Sequence, residues 1–389
     1  MNILICNVGS TSLKYQLFAM EKGEQVIASG GAERVGGRES CFYWTESGVK
    51  RQERLALPTH REAIERMLRQ LPPEAAVDCV GFKVVHAKGV TGVQYLTEDV
   101  LQAMADFNSV APAHNPPYIA AIRQFRELMP ATPLIGSFET GFHSHMPPEA
   151  YLYPLPAQLC RDHAIRRYGF HGASHEYLTA WVSEAMGRKD LKLVSCHLGG
   201  SGSLCAIMDG KSMDTSFGLS LQCGLPQSNR AGDIDPYIIA YLVRDCGYTL
   251  DEVFSELEKK GGLLGISGVS NDLRDLEEAA PHNERAQLAI DIFIREIIRY
   301  IGGYAAILGG LDAIAFTGGI GENSETVRSR VLDAFAFMGL KKGETRPCAA
   351  LDPSAGGKII TAPDSALHAF VIPANEELGI ARKVFSKLQ

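Results

Sequence analysis

The sequence predicts an α/β protein built on an internal duplication, and three observations carry that prediction. The chain has 389 residues, more than one ordinary core accommodates, so two domains are expected. Strand-like runs come first, and helix and strand alternate after them, which is the order of a mixed sheet covered by helices. One short pattern also occurs twice, 190 positions apart: Ile3-Leu-Ile-Cys-Asn-Val-Gly-Ser-Thr-Ser-Leu-Lys-Tyr-Gln-Leu-Phe18 and Leu193-Val-Ser-Cys-His-Leu-Gly-Gly-Ser-Gly-Ser-Leu-Cys-Ala-Ile-Met208.

Each copy has an apolar run, a Cys followed by a polar residue (Asn7 or His197), a Gly/Ser turn and a second β-type run. Apolar runs joined by a short Gly-containing loop read as a β-hairpin. Small turn residues let backbone N–H groups approach an anion closely. Taken singly, each stretch is also what an ordinary hairpin looks like. The repetition in nearly the same register favours a duplicated phosphate-gripping fold with nucleotide between the halves.

Composition bounds the alternatives. Hydrophobic residues make up 46% and charged residues 21%, as in a soluble globular protein, and 38 basic against 45 acidic residues give a net charge of −7. That balance argues against a broad nucleic-acid or anionic-membrane surface while leaving room for a local basic pocket. The nine cysteines form no Cys-x-x-Cys pair, and the odd, scattered set fits reduced thiols better than a disulfide framework or a zinc site. The first residues enter a strand without the basic and apolar regions of a signal peptide. The apolar stretch Tyr300 to Leu311 is far shorter than the roughly 20 residues of a membrane span. A cytoplasmic protein is expected.

In chain order, a third strand is read at Gln25–Ala28. Thr59 and Glu62 form a capping box for a helix with Ala63, Ile64, Met67, Leu68 and Leu71 on one face, ended by Pro72-Pro73. Val80–His86 reads as a buried strand in which Lys83 and His86 stand out. Thr97 caps a helix carrying Val100, Leu101, Met104 and Phe107, and a rigid loop from Ala111 to Pro117 precedes a helix at Tyr118–Leu128. Leu134–Phe138 is a strand closing on Glu139. A linker from about 147 to 192 contains Arg166 to His175. A long irregular stretch, Asp214–Pro236, holds Arg230-Ala-Gly-Asp-Ile-Asp235. Thr249 and Glu252 cap a helix stopping at Gly261-Gly262, and Gly268 to Asp275 is a loop entering a helix. The mostly apolar helix from about 283 to 307 is core or subunit interface. Ala313–Phe316 delivers Thr317-Gly-Gly-Ile-Gly-Glu-Asn-Ser324 to the start of the next helix. Strand, glycine turn and helix N-terminus together make an anion site. A final helix, Leu378–Leu388, follows Glu376 and Glu377 and is expected to return to the first domain.

At this point a family resemblance enters. The chain resembles the acetate kinases, of the acetate and sugar kinase and actin superfamily, through motifs in one order over nearly its full length. They are Asn7 to Lys14, Val84-Val-His86, His114-Asn-Pro116, Phe142-His143, Tyr168-Gly-Phe-His-Gly172, Cys196-His-Leu-Gly199, Arg230 to Pro236, Leu264 to Asp272, Phe316 to Asn323 and Asn375-Glu-Glu-Leu378. The resemblance implies two duplicated ribonuclease-H-like (actin-like ATPase) domains with an active-site cleft between them, residues 1–147 plus 378–389 and residues 148–377.

It also implies reversible, direct in-line transfer of the γ-phosphoryl of ATP to a short-chain carboxylate, acetate by default, giving an acyl phosphate and ADP. The spread negative charge of such a transition state is met by positioned cations and a metal ion. Carried over by position, Arg230 and His171 resemble stabilisers of the transferring phosphoryl, and Glu139 takes the place of the family's catalytic Asp. Asn7 and Glu376 match positions associated with Mg²⁺, with Mn²⁺ as an alternative. Lys14, His197, Leu198, Gly199, Gly200, Ser201, Gly319, Ile320, Gly321, Glu322 and Asn323 match nucleotide positions, and Asp272, Leu273 and Arg274 the adenosine side. Lys83, Val85, Ala113, His114, Phe170 and Leu221 match the acceptor pocket. A homodimer, small-molecule carboxylate and ATP or ADP as partners, and no nucleic-acid or membrane partner are implied as well.

The departures concern the same sites. Lys83 stands for an Arg, and a point charge replaces a bidentate grip. Glu139 is one methylene longer than Asp, and Gly200 replaces an Asn. Ala113 stands for Leu and Leu221 for Pro. Two further readings follow from these changes: the same transfer to a larger or hydroxylated acceptor, or a catalytically impaired nucleotide-binding regulator.

Overall fold

The computed structural model describes residues 1–46, 48–73, 75–348 and 356–389. The chain divides into two compact units, Met1–Ser144 with Asn375–Gln389, and His145–Ala374.

The first unit is organised by an eight-stranded sheet in the order β5-β4-β3-β2-β1-β6-β8-β7. Its strands are β1 (Asn2–Gly9), β2 (Ser12–Ala19), β3 (Gln25–Glu33), β4 (Ser40–Glu46), β5 (Val49–Leu55), β6 (Cys79–Val84), β7 (Val93–Tyr95) and β8 (Leu134–Phe138). β1 to β5 form an antiparallel meander, whereas β1, β6 and β8 run parallel side by side. β1 and β6 are almost wholly buried, as expected of parallel strands covered on both faces. Helices α1 (His60–Gln70), α2 (Glu98–Ala105) and α3 (Asn115–Leu128) complete this run of the chain. The Thr59–Glu62 capping box is present, with Ala63, Ile64 and Met67 buried beneath it.

The second unit repeats the plan in seven strands, ordered β11-β10-β9-β12-β15-β14-β13. These are β9 (Lys192–Leu198), β10 (Gly202–Met208), β11 (Lys211–Thr215), β12 (Ala313–Thr317), β13 (Lys342–Pro347), β14 (Lys358–Thr361) and β15 (His368–Val371). Again a meander (β9–β11) leads into parallel strands (β9, β12, β15). The duplication is therefore a property of strand order and direction, not only of two similar hairpins. The hairpins differ in their turns. Gly9 pairs with Ser12 across two residues, whereas Leu198 pairs with Gly202 across three.

Helices of this unit are α4 (Pro148–Tyr151), α5 (Ala157–His163), α6 (Gly172–Ala185), α7 (Tyr237–Asp245), α8 (Leu250–Lys259), α9 (Gly262–Ser267), α10 (Leu273–Ala279), α11 (Glu284–Ile307), α12 (Gly318–Asn323) and α13 (Glu325–Asp333). The last helix, α14 (Glu376–Leu388), belongs to the first unit and packs against β1, β6 and β8.

Several expectations shift. The third strand extends five residues beyond Ala28, to Glu33. Gly30 and Gly31 mask it in the sequence, yet a Cβ at Gly30 would meet the Tyr43 carbonyl at 2.3 Å, so the close neighbour requires glycine there. α3 starts at Asn115, three residues before Tyr118, because Pro116 and Pro117 fall in its first turn, where no N–H is needed. α14 likewise starts two residues early, placing both glutamates inside its first turn. The glycine turn after β12 is itself helical, as α12, rather than a loop preceding a helix. The linker from 147 to 192 contributes α4 to α6 to the second unit.

The long apolar helix resolves in favour of core. Ala286, Ala289, Ile290, Phe293, Ile294, Ile297 and Ile301 of α11 are buried with Val194, Leu204 and Phe316 from β9, β10 and β12 in one cluster. Phe293→Ala is expected to destabilise the protein by about 3–5 kcal/mol. A denaturant midpoint that falls by the same amount at low and high protein concentration is the expected result; a fall that depends on concentration would mark α11 as an interface instead.

Candidate active site

In the first unit the chemistry gathers where β1, β6 and β8 end. Neighbouring parallel strands stop at the same edge of a sheet, and open α/β sheets bind ligands beyond their carboxyl ends. Asn7 lies near the end of β1, Lys83 near the end of β6, and Glu139 directly after β8. Glu376, the first residue of α14, is brought to Lys83 by the packing of that helix on the same strands.

Lys83 Nζ bonds to Glu376 Oε2 and lies 3.8 Å from Glu139 Oε2. The Glu139 side chain is 3% exposed, so this is one ammonium serving two largely buried carboxylates. Burial on its own would push Lys83 down, but the charges of Glu139 and Glu376 outweigh it and hold the ammonium above its ordinary range. Lys83 and Glu139 thus meet in the structure. Asn7 Oδ1 accepts from the Tyr118 hydroxyl at 2.8 Å, and that hydroxyl accepts from Val8 N–H at 3.1 Å. Tyr118 is the positioning group the sequence does not flag, because it reads as one more apolar face residue of α3.

The remaining predicted residues of this unit are dispersed. Val85 is buried just past β6, Ala113 is exposed, and His114 precedes the first turn of α3. Lys14 pairs with Asn7 across the hairpin and, being exposed, lines a separate surface pocket with Tyr43, Lys50 and Glu377. His86 is fully buried against Phe107, with ring centres 4.6 Å apart.

In the second unit the start of β10 holds two predicted residues at once. Ser201 accepts from Arg230 Nη1 at 3.2 Å, and Ser203, two residues on and so on the same face, lies 2.9 Å from His171 Nδ1. Arg230 also donates to Gln227 Oε1 at 2.9 Å. Among the described residues no carboxylate forms an ion pair with this guanidinium. Burial pushes Arg230 down, with Glu258 only partly opposing from a distance. A partly buried cation bonded solely to neutral groups is electrostatically incomplete without an anion.

His171 sits at the left-handed residue before α6, φ 57°, stacked on His197 with ring centres 4.1 Å apart. Phe170 is buried edge-on to Phe217. Leu221 is nearly buried, and its carbonyl accepts from Gln227.

A cleft of about 780 Å³ opens between the turn after β9, the turn after β12 and the start of α10. β9 and β12 are parallel neighbours, so both turns leave the same sheet edge. Gly318 makes the second turn feasible: its φ is +80°, and a Cβ would approach the Leu198 carbonyl to 2.7 Å. Gly199, Gly200, Asp272, Leu273, Arg274, Gly319, Ile320 and Asn323 line the cleft, joined by Ser228, Asn271, Glu277 and Ser324.

His197, Leu198, Ser201, Gly321 and Glu322 are not among the lining residues. Leu198 is fully buried, and Gly321 is buried in α12. Glu322 Oε1 accepts from Gly318 N–H and from Ala374 N–H, each at 3.0 Å, so it closes the turn from behind. Asp272 caps α10 and pairs with Arg274, whose side-chain and backbone hydrogen bonds hold its carboxyl down at about 2. Gly200 has ordinary backbone geometry, and a Cβ there would meet only Ser228 Oγ, at 3.4 Å. The sequence misses Ser228, Asn271, Glu277 and Ser324 because each is an ordinary polar residue, Glu277 on a helix and the others in the connections between elements.

Two meander-and-parallel sheets, with an anion-ready strand–turn–helix beside a nucleotide-sized cleft, define a phosphotransferase of the actin-like ATPase fold. Comparison with known proteins narrows the class. The Acetokinase family profile matches residues 2–382. An acetate kinase of Clostridium novyi is 42% identical over 98% of this chain and 97% of its own length. Among solved structures, an acetate kinase of Porphyromonas gingivalis has a TM-score of 0.87 at 33% identity, covering 100% of both chains. A propionate kinase of Francisella tularensis gives 0.87 at 31% identity over 98% of each chain. The chain belongs to the acetokinase family and is a kinase that phosphorylates carboxylates with ATP.

Lys83→Met leaves Glu139 and Glu376 without their shared cation, and breaking a buried pair in this way costs about 3–5 kcal/mol. The expected outcome is a lower denaturant midpoint at neutral pH, partly recovered by Lys83→Arg. A midpoint unchanged in Lys83→Met would contradict the ion-pair assignment.

Proposed function

We propose that this protein transfers the γ-phosphoryl group of ATP to acetate or propionate, directly and reversibly, yielding the acyl phosphate and ADP. The observation that carries the reading is Arg230, a partly buried guanidinium whose hydrogen-bond partners, Ser201 and Gln227, are both neutral. A metaphosphate-like group in flight is the anion such a cation suits. His171 serves as a second donor to the phosphoryl oxygens. The residues lining the 780 Å³ cleft hold the nucleotide, while Glu322 and Asp272 shape its walls through their backbone caps. Lys83 and Glu139 of the first unit serve the acceptor end, and Val85, Ala113, His114, Phe170 and Leu221 are assigned to it by the family resemblance alone. The names of the solved relatives support both acids, one being an acetate kinase and another a propionate kinase.

Asn7 Oδ1 and the Glu376 carboxylate are oxygen donors of the kind Mg²⁺ takes, and Mn²⁺ accepts the same set. No cluster of three or more acidic, His or Cys ligands occurs among the described residues. Each residue offers the oxygen chemistry such an ion takes. Such an ion would supply positive charge to the phosphates. Asn7 and Glu376 would hold it, and Lys83 already engages the same glutamate.

We further propose a cytoplasmic homodimer. Among the described residues the nine cysteines form no disulfide, and burial pushes the Cys79 thiol up to about 12. Among the described residues no helix is long and apolar enough to cross a membrane. Helix α7 carries Tyr237, Ile238, Tyr241 and Val243 yet buries none of its residues, and Tyr248, Leu250 and Phe254 extend the exposed apolar face. A second copy of the chain is the partner proposed for it.

Arg230→Ala is expected to lower kcat by about 10²–10³-fold while nucleotide binding persists, measured as ADP formation across acetate, propionate, butyrate and a hydroxy acid with ATP and Mg²⁺. Wild-type protein that turns over none of these acids, or an Arg230→Ala variant as active as wild type, would sink the reading. Tyr241→Glu should elute at half the wild-type mass in light scattering, and identical masses would exclude α7 as the interface.

A further inference from the structure

One buried polar chain in the second unit serves neither the hydrophobic core nor the nucleotide cleft. It begins at Ser195 on β9, fully buried, whose Oγ lies 2.5 Å from His175 Nδ1. His175 Nε2 is 2.9 Å from Ser203 Oγ, and Ser203 Oγ is 2.9 Å from His171 Nδ1. Four side chains from β9, α6 and β10 thus stand in single file, ending on the imidazole placed at the phosphoryl group.

Proton counting limits what the file can do. A neutral imidazole has one N–H and one acceptor nitrogen, and a hydroxyl has one proton to give. With neutral rings and every bond made, the protons point one way or the other along the whole file, or both rings donate to Ser203. That last arrangement is disfavoured, because Ser203 then has no acceptor for its own buried proton among the described residues. In the outward direction Ser195 donates to His175 Nδ1, His175 Nε2–H donates to Ser203, and Ser203 donates to His171 Nδ1. In the inward direction all three are reversed, and Ser195 must place its own hydroxyl proton elsewhere. Ser195 Oγ has no second partner among the described residues. Leaving a buried hydroxyl proton without an acceptor disfavours the inward direction by about tenfold or more.

We infer that Ser203 and His175 are positioning residues that hold His171 as the neutral tautomer protonated at Nε2. The imidazole then offers an N–H to a phosphoryl oxygen without carrying charge. His197 stacks on the same ring at 4.1 Å, with its own Nδ1 2.8 Å from Ser174 Oγ. The catalytic meaning of that donor rests on the proposed function; the tautomer does not.

The test uses the full-length protein with ¹⁵N-labelled imidazoles and no nucleotide or acid present. Signals are assigned by their loss in His171→Gln and His175→Gln. Wild-type protein at neutral pH is expected to show both His171 and His175 protonated at Nε2 alone. His171 protonated at Nδ1, whatever the state of His175, or at both nitrogens, overturns the inference. Ser203→Ala should release His171 into a mixture of tautomers and lower kcat about tenfold, less than the ~10²-fold loss of a donor outright, with KM for ATP unchanged. Ser203→Thr, which keeps the hydroxyl, should retain both. An unaltered His171 tautomer in Ser203→Ala also overturns the inference, and if that variant fails to fold the wild-type spectra decide alone. The spectra need no turnover, so their outcome is separate from that of Arg230→Ala, which tests the reaction.

Discussion

Everything in this molecule depends on parallel pairing between the first strand of a meander and strands that arrive much later in the chain. β1 meets β6 and β8, and β9 meets β12 and β15. Parallel neighbours need long crossovers, so the connecting segments become helices and the carboxyl ends of the strands fall at one edge. Asn7, Lys83 and Glu139 are gathered by that rule in one unit. The turns after β9 and β12 are gathered by it in the other. Neither grouping is local in sequence, and both follow from strand direction alone.

Within that frame the second constraint is charge. Lys83 is shared between Glu139 and Glu376, while Arg230 has only neutral hydrogen-bond partners. The two cations therefore stand in opposite states. One is neutralised by the protein and contributes to holding α14 near β6. The other is desolvated in part and waits for charge from outside. Substituting Arg at position 83 keeps the sign of the interaction but replaces a compact ammonium by a planar fork.

Much of the fold was legible because its signals are short-range. The two hairpins, the Thr59 and Thr249 capping boxes and the α11 face all announce themselves within a few residues. The long strand β3 was cut short at Ala28 because Gly30 and Gly31 suppress a strand reading, although Tyr43 leaves no room for anything else. β4, β5, β7, β10's partner β11 and the strands β13 to β15 escaped because their patterns are short or polar. The candidate site was legible through residues with strong chemical character. Its supporting residues, Tyr118, Ser203, His175 and Ser228, were not, since their importance comes only from what the fold sets beside them. Glu322 and Asp272 show the reverse: conspicuous in sequence, they are spent on backbone N–H groups.

The strand hardest to read has a further consequence. β5, Val-Lys-Arg-Gln-Glu-Arg-Leu, forms an outer border of its sheet and is largely exposed. At the opposite border β7 is three residues long. The borders of the other sheet are the five-residue β11 and the fully exposed β13, which ends in Pro347. Brevity, charge and proline are the features that deny a neighbouring chain a backbone ladder to continue. All four borders are thus guarded against strand-by-strand growth into aggregates. An association through side chains, of the kind proposed for α7, offers no such ladder and would stay closed and finite.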